Sequence, residues 1–331
     1  QTLLIRRGYE GSGPQGWARN YYMHQPDLEA VIRTGLERFP SVLTFFGHDV
    51  TALSDAGRNA VVHMTDLANQ APIEIEAAYV VGCDGARSFV RRHIGAESED
   101  LGLHQPWLVL DAIVRPGSPR VQALKDYTIQ LCDPARPMTL VYVGGNRRRW
   151  EIMLMPGDDP AAMTSAANVW RVLSPWITPE DATLERAAVY TFHSIIARGW
   201  RKGPFLLAGD ACHQTPPFLG QGMCAGLRDA VNLAWKLKAV LRDGVSDTIL
   251  ENYESERRPH VHAFIKLAVE LGAIIQATDP EIARARDASF VAGSPTFTSS
   301  VGASGSTVMD ADGTEYLDAI IAVTQVDGVD G

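Results

Sequence analysis

Asp210 stands directly after Gly209 at the end of a short apolar run, residues 205–208. A loop carrying Pro216, Pro217, Gly220 and Gly222 follows. Beyond it Leu227, Ala230, Val231, Ala234, Leu237, Val240 and Leu241 recur every three or four residues. The run predicts a buried strand and the recurrence an amphipathic helix. An acid at a strand's carboxyl end, a glycine loop and a helix start make a holder for a polar ligand. The carboxylate can accept hydrogen bonds from sugar hydroxyls, and the free N–H groups and dipole of the helix start favour negative charge.

A second stretch repeats the arrangement. The strand-like run 73–81 ends at Gly82-Cys83-Asp84-Gly85, followed by Ala86-Arg87-Ser88 and a short helical pattern over 87–94 that carries Arg91 and Arg92. Asp84-Gly85 alone would also suit an ordinary turn. Between the two stretches, 107–114, 127–132, 138–143, 150–155 and 187–192 read as strands with short connections, which predicts an antiparallel sheet. Residues 161–173 read as a helix. Strands are also expected at 42–46, 50–53 and 60–64, a helix at 26–39, and one or two long helices over 247–275, where Pro259 is a potential kink.

These two motifs, in this order, resemble the GD and DG fingerprints of the class A FAD-dependent aromatic hydroxylases, which share the para-hydroxybenzoate hydroxylase fold. The branch most similar is that of 3-(3-hydroxyphenyl)propionate hydroxylase. Supporting pieces are His24-Gln25-Pro26-Asp27-Leu28-Glu29, Leu131-Cys132-Asp133-Pro134, Met155-Pro156-Gly157 and Tyr253-Glu254-Ser255-Glu256-Arg257-Arg258-Pro259. The resemblance covers roughly residues 15 to 290, and the pair is more specific than either motif alone.

The resemblance implies an FAD- and NAD(P)H-dependent monooxygenase that uses O2 to hydroxylate a small phenol similar to 3-hydroxyphenylpropionate; a polycyclic phenol is the second choice. Asp210, beside Gly209, would hold the ribityl chain. The backbone of Gly220, Gln221 and Gly222, continuing to Met223, would meet the flavin N1/C2 oxygen region, where negative charge develops on reduction. Pro216 and Pro217 would stiffen the loop beside the ring. Asp84, Gly85 and Arg87 would lie near the pyrophosphate and the nicotinamide. Gln25 would reach the ribityl or phosphate region, or simply cap its helix. Many relatives have Asn where this chain has Cys224, which leaves only a backbone contact there. His213 is the catalytic candidate, as a proton relay, with a satisfied structural histidine as the competing role. Tyr127, Tyr142, Met153, Tyr190 and His193 could line an apolar ring-binding site, or pack as core.

The implied fold is α/β (α+β): a partial Rossmann-like FAD domain interleaved with an antiparallel substrate sheet, plus long carboxyl-terminal helices. The expected FAD domain comprises 25–102 and 196–276, the substrate domain 1–24 and 103–195, and a loop-rich tail 277–331. Gly11 to Gly16 match G-x-G-x-x-G letter for letter. The true fingerprint needs a helix to begin within it, and Pro14 with the strand-like 17–23 opposes that. The expectation is therefore a sequence without the family's first βαβ unit. That absence keeps open a non-catalytic homologue that binds an aromatic ligand or a partner without flavin.

Bulk properties fit this picture. The chain has 331 residues, 46% of them apolar, which suffices for a large core. A net charge of −9 argues against nucleic acid as a partner. No apolar run reaches the length of a membrane span. Cys83, Cys132, Cys212 and Cys224 lack metal-ligand spacing and read as reduced thiols of a cytoplasmic protein. No metal site, nucleophilic triad or P-loop is expected, and a homodimer is left open.

Overall fold

Strands at residues 80–82 and 205–207 form the junction on which the rest of the fold is arranged. The structure, a computed structural model, describes residues 16–18, 21–292 and one strand pair beyond. The 3–5 run, residues 11–15 of the glycine-rich run and the loop expected at 294–307 lie outside the described residues.

In chain order, α1 (Gln25–Leu36) precedes β1 (His48–Ala56), β2 (Asn59–Asp66) and β3 (Pro72–Ala77). Next come β4 (Val80–Gly82), α2 (Phe89–Ile94), β5 (Glu97–Val114), α3 (Pro119–Ala123), β6 (Ile129–Leu131), β7 (Met138–Gly144) and β8 (Arg147–Met153). They are followed by α4 (Pro160–Met163), α5 (Ala166–Leu173), β9 (Ala182–Arg198), β10 (Arg201–Lys202), β11 (Phe205–Leu207) and β12 (His213–Gln214). The long helices are α6 (Gly222–Asp243), α7 (Asn252–Ile275) and α8 (Pro280–Ala292), and β13 (Val308–Met309) pairs with β14 (Glu315–Tyr316).

The mixed architecture is the expected one. β1, β2 and β3 make one antiparallel sheet, and β12-β9-β5-β8-β7-β6 make a second, in which every pair is antiparallel. β11 pairs with β4 in parallel, with β10 on its other side. Because side chains alternate along a strand, the six-stranded sheet has two distinct faces. Leu108, Leu110, Trp150 and Ile152 point into an apolar cluster with Met163 of α4 and Val169 and Leu173 of α5. Trp107 and Met153 point the other way, toward Ile275 of α7 and Phe218. A separate core beneath the junction gathers Phe205, Leu206, Leu207, Val90, Leu233, Tyr253 and Ile265. No single helix among the described residues is long and apolar enough to cross a membrane.

Several elements differ from expectation for physical reasons. Residues 42–46 are not a strand; they have no partner strand among the described residues, and Gly47, at φ +68°, turns the chain into β1 instead. The 73–81 run divides, because β3 completes one sheet while β4 joins another. The 161–173 helix breaks where Ser165 caps α5 by accepting a hydrogen bond from the Asn168 N–H. The tail expected to be loop-rich carries α8. α7 continues through Pro259.

Candidate cofactor and substrate site

Parallel pairing places Gly82 opposite Leu207, so both glycine–acid motifs emerge at the same sheet edge. The Ala208 N–H donates to the Gly82 carbonyl at 3.0 Å and extends that register. The two acids have different surroundings. Asp84 turns back on its own helix: Oδ2 accepts from the N–H groups of Phe89 at 2.6 Å and Val90 at 3.1 Å. Burial pushes its carboxyl up, but hydrogen bonds from Ser88 and the α2 start outweigh this and hold it below the ordinary value. Gly85 takes φ +76° between acid and helix, while Gly82 is required by contact, since a Cβ there would lie 2.6 Å from that of Val90. Asp210 is exposed, and no described residue hydrogen-bonds its carboxylate. The surrounding protein pushes its pKa up, with His213 opposing.

Around Asp210 the backbone is held by buried charge. Asp229 of α6 is fully buried; its Oδ2 accepts from the Gly209 N–H at 3.1 Å and pairs with His213 Nε2 at 2.6 Å. Its Oδ1 accepts from Arg257 Nε of α7 at 2.9 Å. Burial raises the Asp229 carboxyl, but His213 and Arg257 outweigh it and leave the pKa lowered. Gly209, at φ +62°, rests on Gly226 of α6; a Cβ on Gly226 would come within 3.4 Å of the Gly209 Cα. Arg91 of α2 ties the two motifs together, donating to the Ala211 carbonyl at 2.9 Å and the Ala86 carbonyl at 2.5 Å.

The helix start beyond is open. Pro217–Leu219 form a single 3-10 turn that ends at Gly220, φ +63°. Gln221 precedes α6, and no side chain caps the helix. The Gln221 Oε1 is buried without a hydrogen-bond partner among the described residues. A Cβ on Gly222 would meet nothing within 4 Å, so protein packing does not demand glycine there. Met223 is exposed.

Phe218 connects this loop to the sheet. Its ring lies over Gly272 of α7, where an added Cβ would come within 2.6 Å. The Trp107 ring is 5.8 Å from both Phe218 and Phe192. Cross-strand register puts Met153 and Tyr190 beside Trp107, and the next positions on the same face are Val109, Glu151 and Ala188. Glu151 is raised to about 7: burial pushes it up, Arg149 opposes, and Asp111 adds to the rise.

The other expected ring contacts lie elsewhere. Register places His193 opposite His104, on the face away from Phe192, and their Nδ1 atoms are 2.7 Å apart. Burial, followed by His104, lowers the His193 pKa. Tyr142 shares the other face with Arg148, whose guanidinium lies 4.5 Å from its ring centroid. Tyr127 borders the same side, beside Arg148 and Trp150. Gln25 donates to Glu29 at 2.8 Å on the surface, and Arg87 is exposed. His213 is 1% exposed and faces Asp229 and Trp200 rather than the open side of the loop.

The FAD binding domain family matches residues 6–268. The chain belongs to that family. It is 39% identical over 291 residues to a probable NADH-specific resorcinol 4-hydroxylase of Rhodococcus jostii (strain RHA1), covering 88% of this chain and 54% of that protein. It is 36% identical to a 3-(3-hydroxy-phenyl)propionate/3-hydroxycinnamic acid hydroxylase of Escherichia coli O81 (strain ED1a), over 78% of this chain and 46% of that one. The chain thus spans about half the length of the curated relatives it matches. Among solved structures, p-nitrophenol 4-monooxygenase PnpA from Pseudomonas putida DLL-E4 superposes with a TM-score of 0.72 at 22% identity, over 82% of this chain and 69% of that one. That likeness concerns the fold.

The residues present fit the flavin that this family's description names. A free carboxylate, an uncapped helix start, an orphaned buried amide oxygen and an open glycine lie along one loop. Asp229, Trp107, Phe192 and Glu151, and the bridging contacts of Arg91, are not among the expected site features. Asp229 and Arg91 sit inside the motifs themselves, but their partners are far away in the chain. The sheet residues show only through register.

Proposed function

We propose that this chain forms the flavin seat and the substrate-facing sheet of an FAD- and NAD(P)H-dependent hydroxylase of phenolic rings that uses O2. The observation that supports this is the parallel pairing of β4 and β11, which brings the Asp84 and Asp210 motifs to one end of the sheet, while Phe218, in the loop leading to α6, packs on Trp107. Asp210 would hold ribityl hydroxyls, and the N–H groups of Gly222 and Met223 would face the flavin oxygen region. When bound, FAD supplies electron transfer from the nicotinamide and activation of oxygen. The protein binds, orients and excludes water, with Phe192, Trp107 and Phe218 as the apolar wall. His213 acts structurally in this scheme, because Asp229 and Trp200 enclose it. The Rhodococcus relative favours NADH, and four unpaired thiols support a cytoplasmic location.

The test is the visible absorption spectrum of the chain with added FAD. A bound-flavin band that NADH bleaches faster in the presence of resorcinol or another phenol is expected. A folded protein that takes up no FAD would overturn the proposal.

A further inference from the structure

The sheet face beyond Trp107 carries a charge group that flavin binding does not use. Asp111 of β5 accepts from Arg149 Nε at 2.7 Å and Nη2 at 3.1 Å, and from Arg186 Nε of β9 at 3.0 Å. Arg186 also donates to the Tyr190 hydroxyl at 3.3 Å. Both guanidinium groups are therefore committed to Asp111. Glu151 stands between this group and the aromatic wall, two positions along β8 from Met153, which is about 7 Å. Its nearest charged neighbour is Arg149, 3.9 Å away and beyond hydrogen-bond reach. Its side chain is 14% exposed, and no described residue hydrogen-bonds it.

Arg147 pairs with Glu185, Arg148 with Asp126 and Arg198 with Glu99. The six strands contain no lysine. Every arginine in these strands has an acidic partner, so among the described residues the strands offer this face no free cation, only an unengaged carboxyl beside an apolar wall. A substrate carboxylate placed there would meet Glu151 and no spare guanidinium from the described strands. An uncharged hydroxyl would find an acceptor.

We propose that Glu151 receives the phenolic hydroxyl of the substrate, and that this sheet face selects uncharged hydroxybenzenes over aryl carboxylates. This rests on the hydroxylase reading above. In the ionised form the Glu151 carboxylate accepts the O–H. On deprotonation that bond breaks, the proton passes to Glu151, and the electron pair stays on the phenolic oxygen, where it enriches the ring carbons. The charged and titratable groups around Glu151 are Arg149 on its own strand, Asp111 on β5, and Arg186 and Tyr190 on β9.

Calorimetric titration of the FAD-loaded chain with resorcinol and with 3-(3-hydroxyphenyl)propionate tests this from pH 5.5 to 8.5. Resorcinol is expected to bind about ten-fold tighter than the propionate at neutral pH, the scale of a charge-assisted hydrogen bond gained against a charge repelled. The two ligands should show opposite pH trends. Resorcinol affinity falls as Glu151 protonates near its pKa of about 7, while propionate affinity rises. Glu151→Gln should flatten both trends. A structural role would not produce opposite slopes, and the wild-type slopes need no variant to fold. Tighter propionate binding, or parallel slopes, would overturn the inference alone. Failure of FAD to bind would remove the hydroxylase reading and this inference with it.

Discussion

The two strand ends at the β4/β11 edge use the same local grammar and reach different outcomes. Each has an apolar strand, a glycine–acid pair and a following helix. At the first, only four residues separate Asp84 from Phe89, so the carboxylate reaches the first two N–H groups of α2 and supplements the Ser88 cap. At the second, β12 and the Pro217–Leu219 turn intervene, so α6 begins twelve residues after Asp210 and the carboxylate cannot reach it. Asp229 takes over the local structural duty from within α6, leaving Asp210 open to a ligand. Connection length decides whether an acid at a strand end is taken up by the fold or left without a partner among the described residues.

The comparison breaks most sharply at Asp229. Asp229→Ala would leave Arg257 as a buried cation and remove the acceptor for Gly209 and His213. The expected loss is about 3–5 kcal/mol of stability, as for breaking a buried ion pair from one side. Urea unfolding measures it, and a loss under about 1 kcal/mol would show that the turn is held by packing instead. Next in size is Asp210→Ala. FAD affinity should fall by about 1.5–3 kcal/mol, because ribityl hydroxyls lose a charged acceptor. The urea midpoint should hardly move, since no described residue depends on that carboxylate. Unchanged affinity in a flavin titration would remove Asp210 from the site.

Legibility follows how local each feature is. The apolar run before Asp210, the spacing of Leu227 to Leu241 and the Pro and Gly of the loop are visible within forty residues, and those elements form where expected. The division of 73–81 could not be seen, because it depends on which sheet edge is free after β3. The side chains facing a ring were harder still. Tyr127, Tyr142 and His193 have the right chemistry, but Tyr142 pairs with Arg148, Tyr127 lies on the same side, and His193 sits opposite His104, away from Phe218. Glu151 faces the same way as Met153 because it lies two residues from it along β8, and Trp107 joins them only because it pairs with Met153 in the β5/β8 register. A one-residue slip would have exchanged the two sets.

The smallest effect sharpens the contrast from the other side. Asp84→Ala should cost about 0.5–2 kcal/mol, the range for losing a helix cap, and change FAD affinity less than Asp210→Ala does. Its pH dependence has a fixed sign. Hydrogen bonds lower the Asp84 pKa in the folded state, so its contribution is complete above the unfolded value of about 3.9 and is lost as pH falls through the folded value. Wild type and Asp84→Ala should therefore differ in urea midpoint at pH 7 and converge in acid. Asp210 shifts the opposite way, so Asp210→Asn should be at least as stable as wild type at pH 7, with the gap closing in acid from the other side. If Asp84→Ala instead costs flavin affinity at constant stability, then both acids serve the ligand, and connection length is not what separates them.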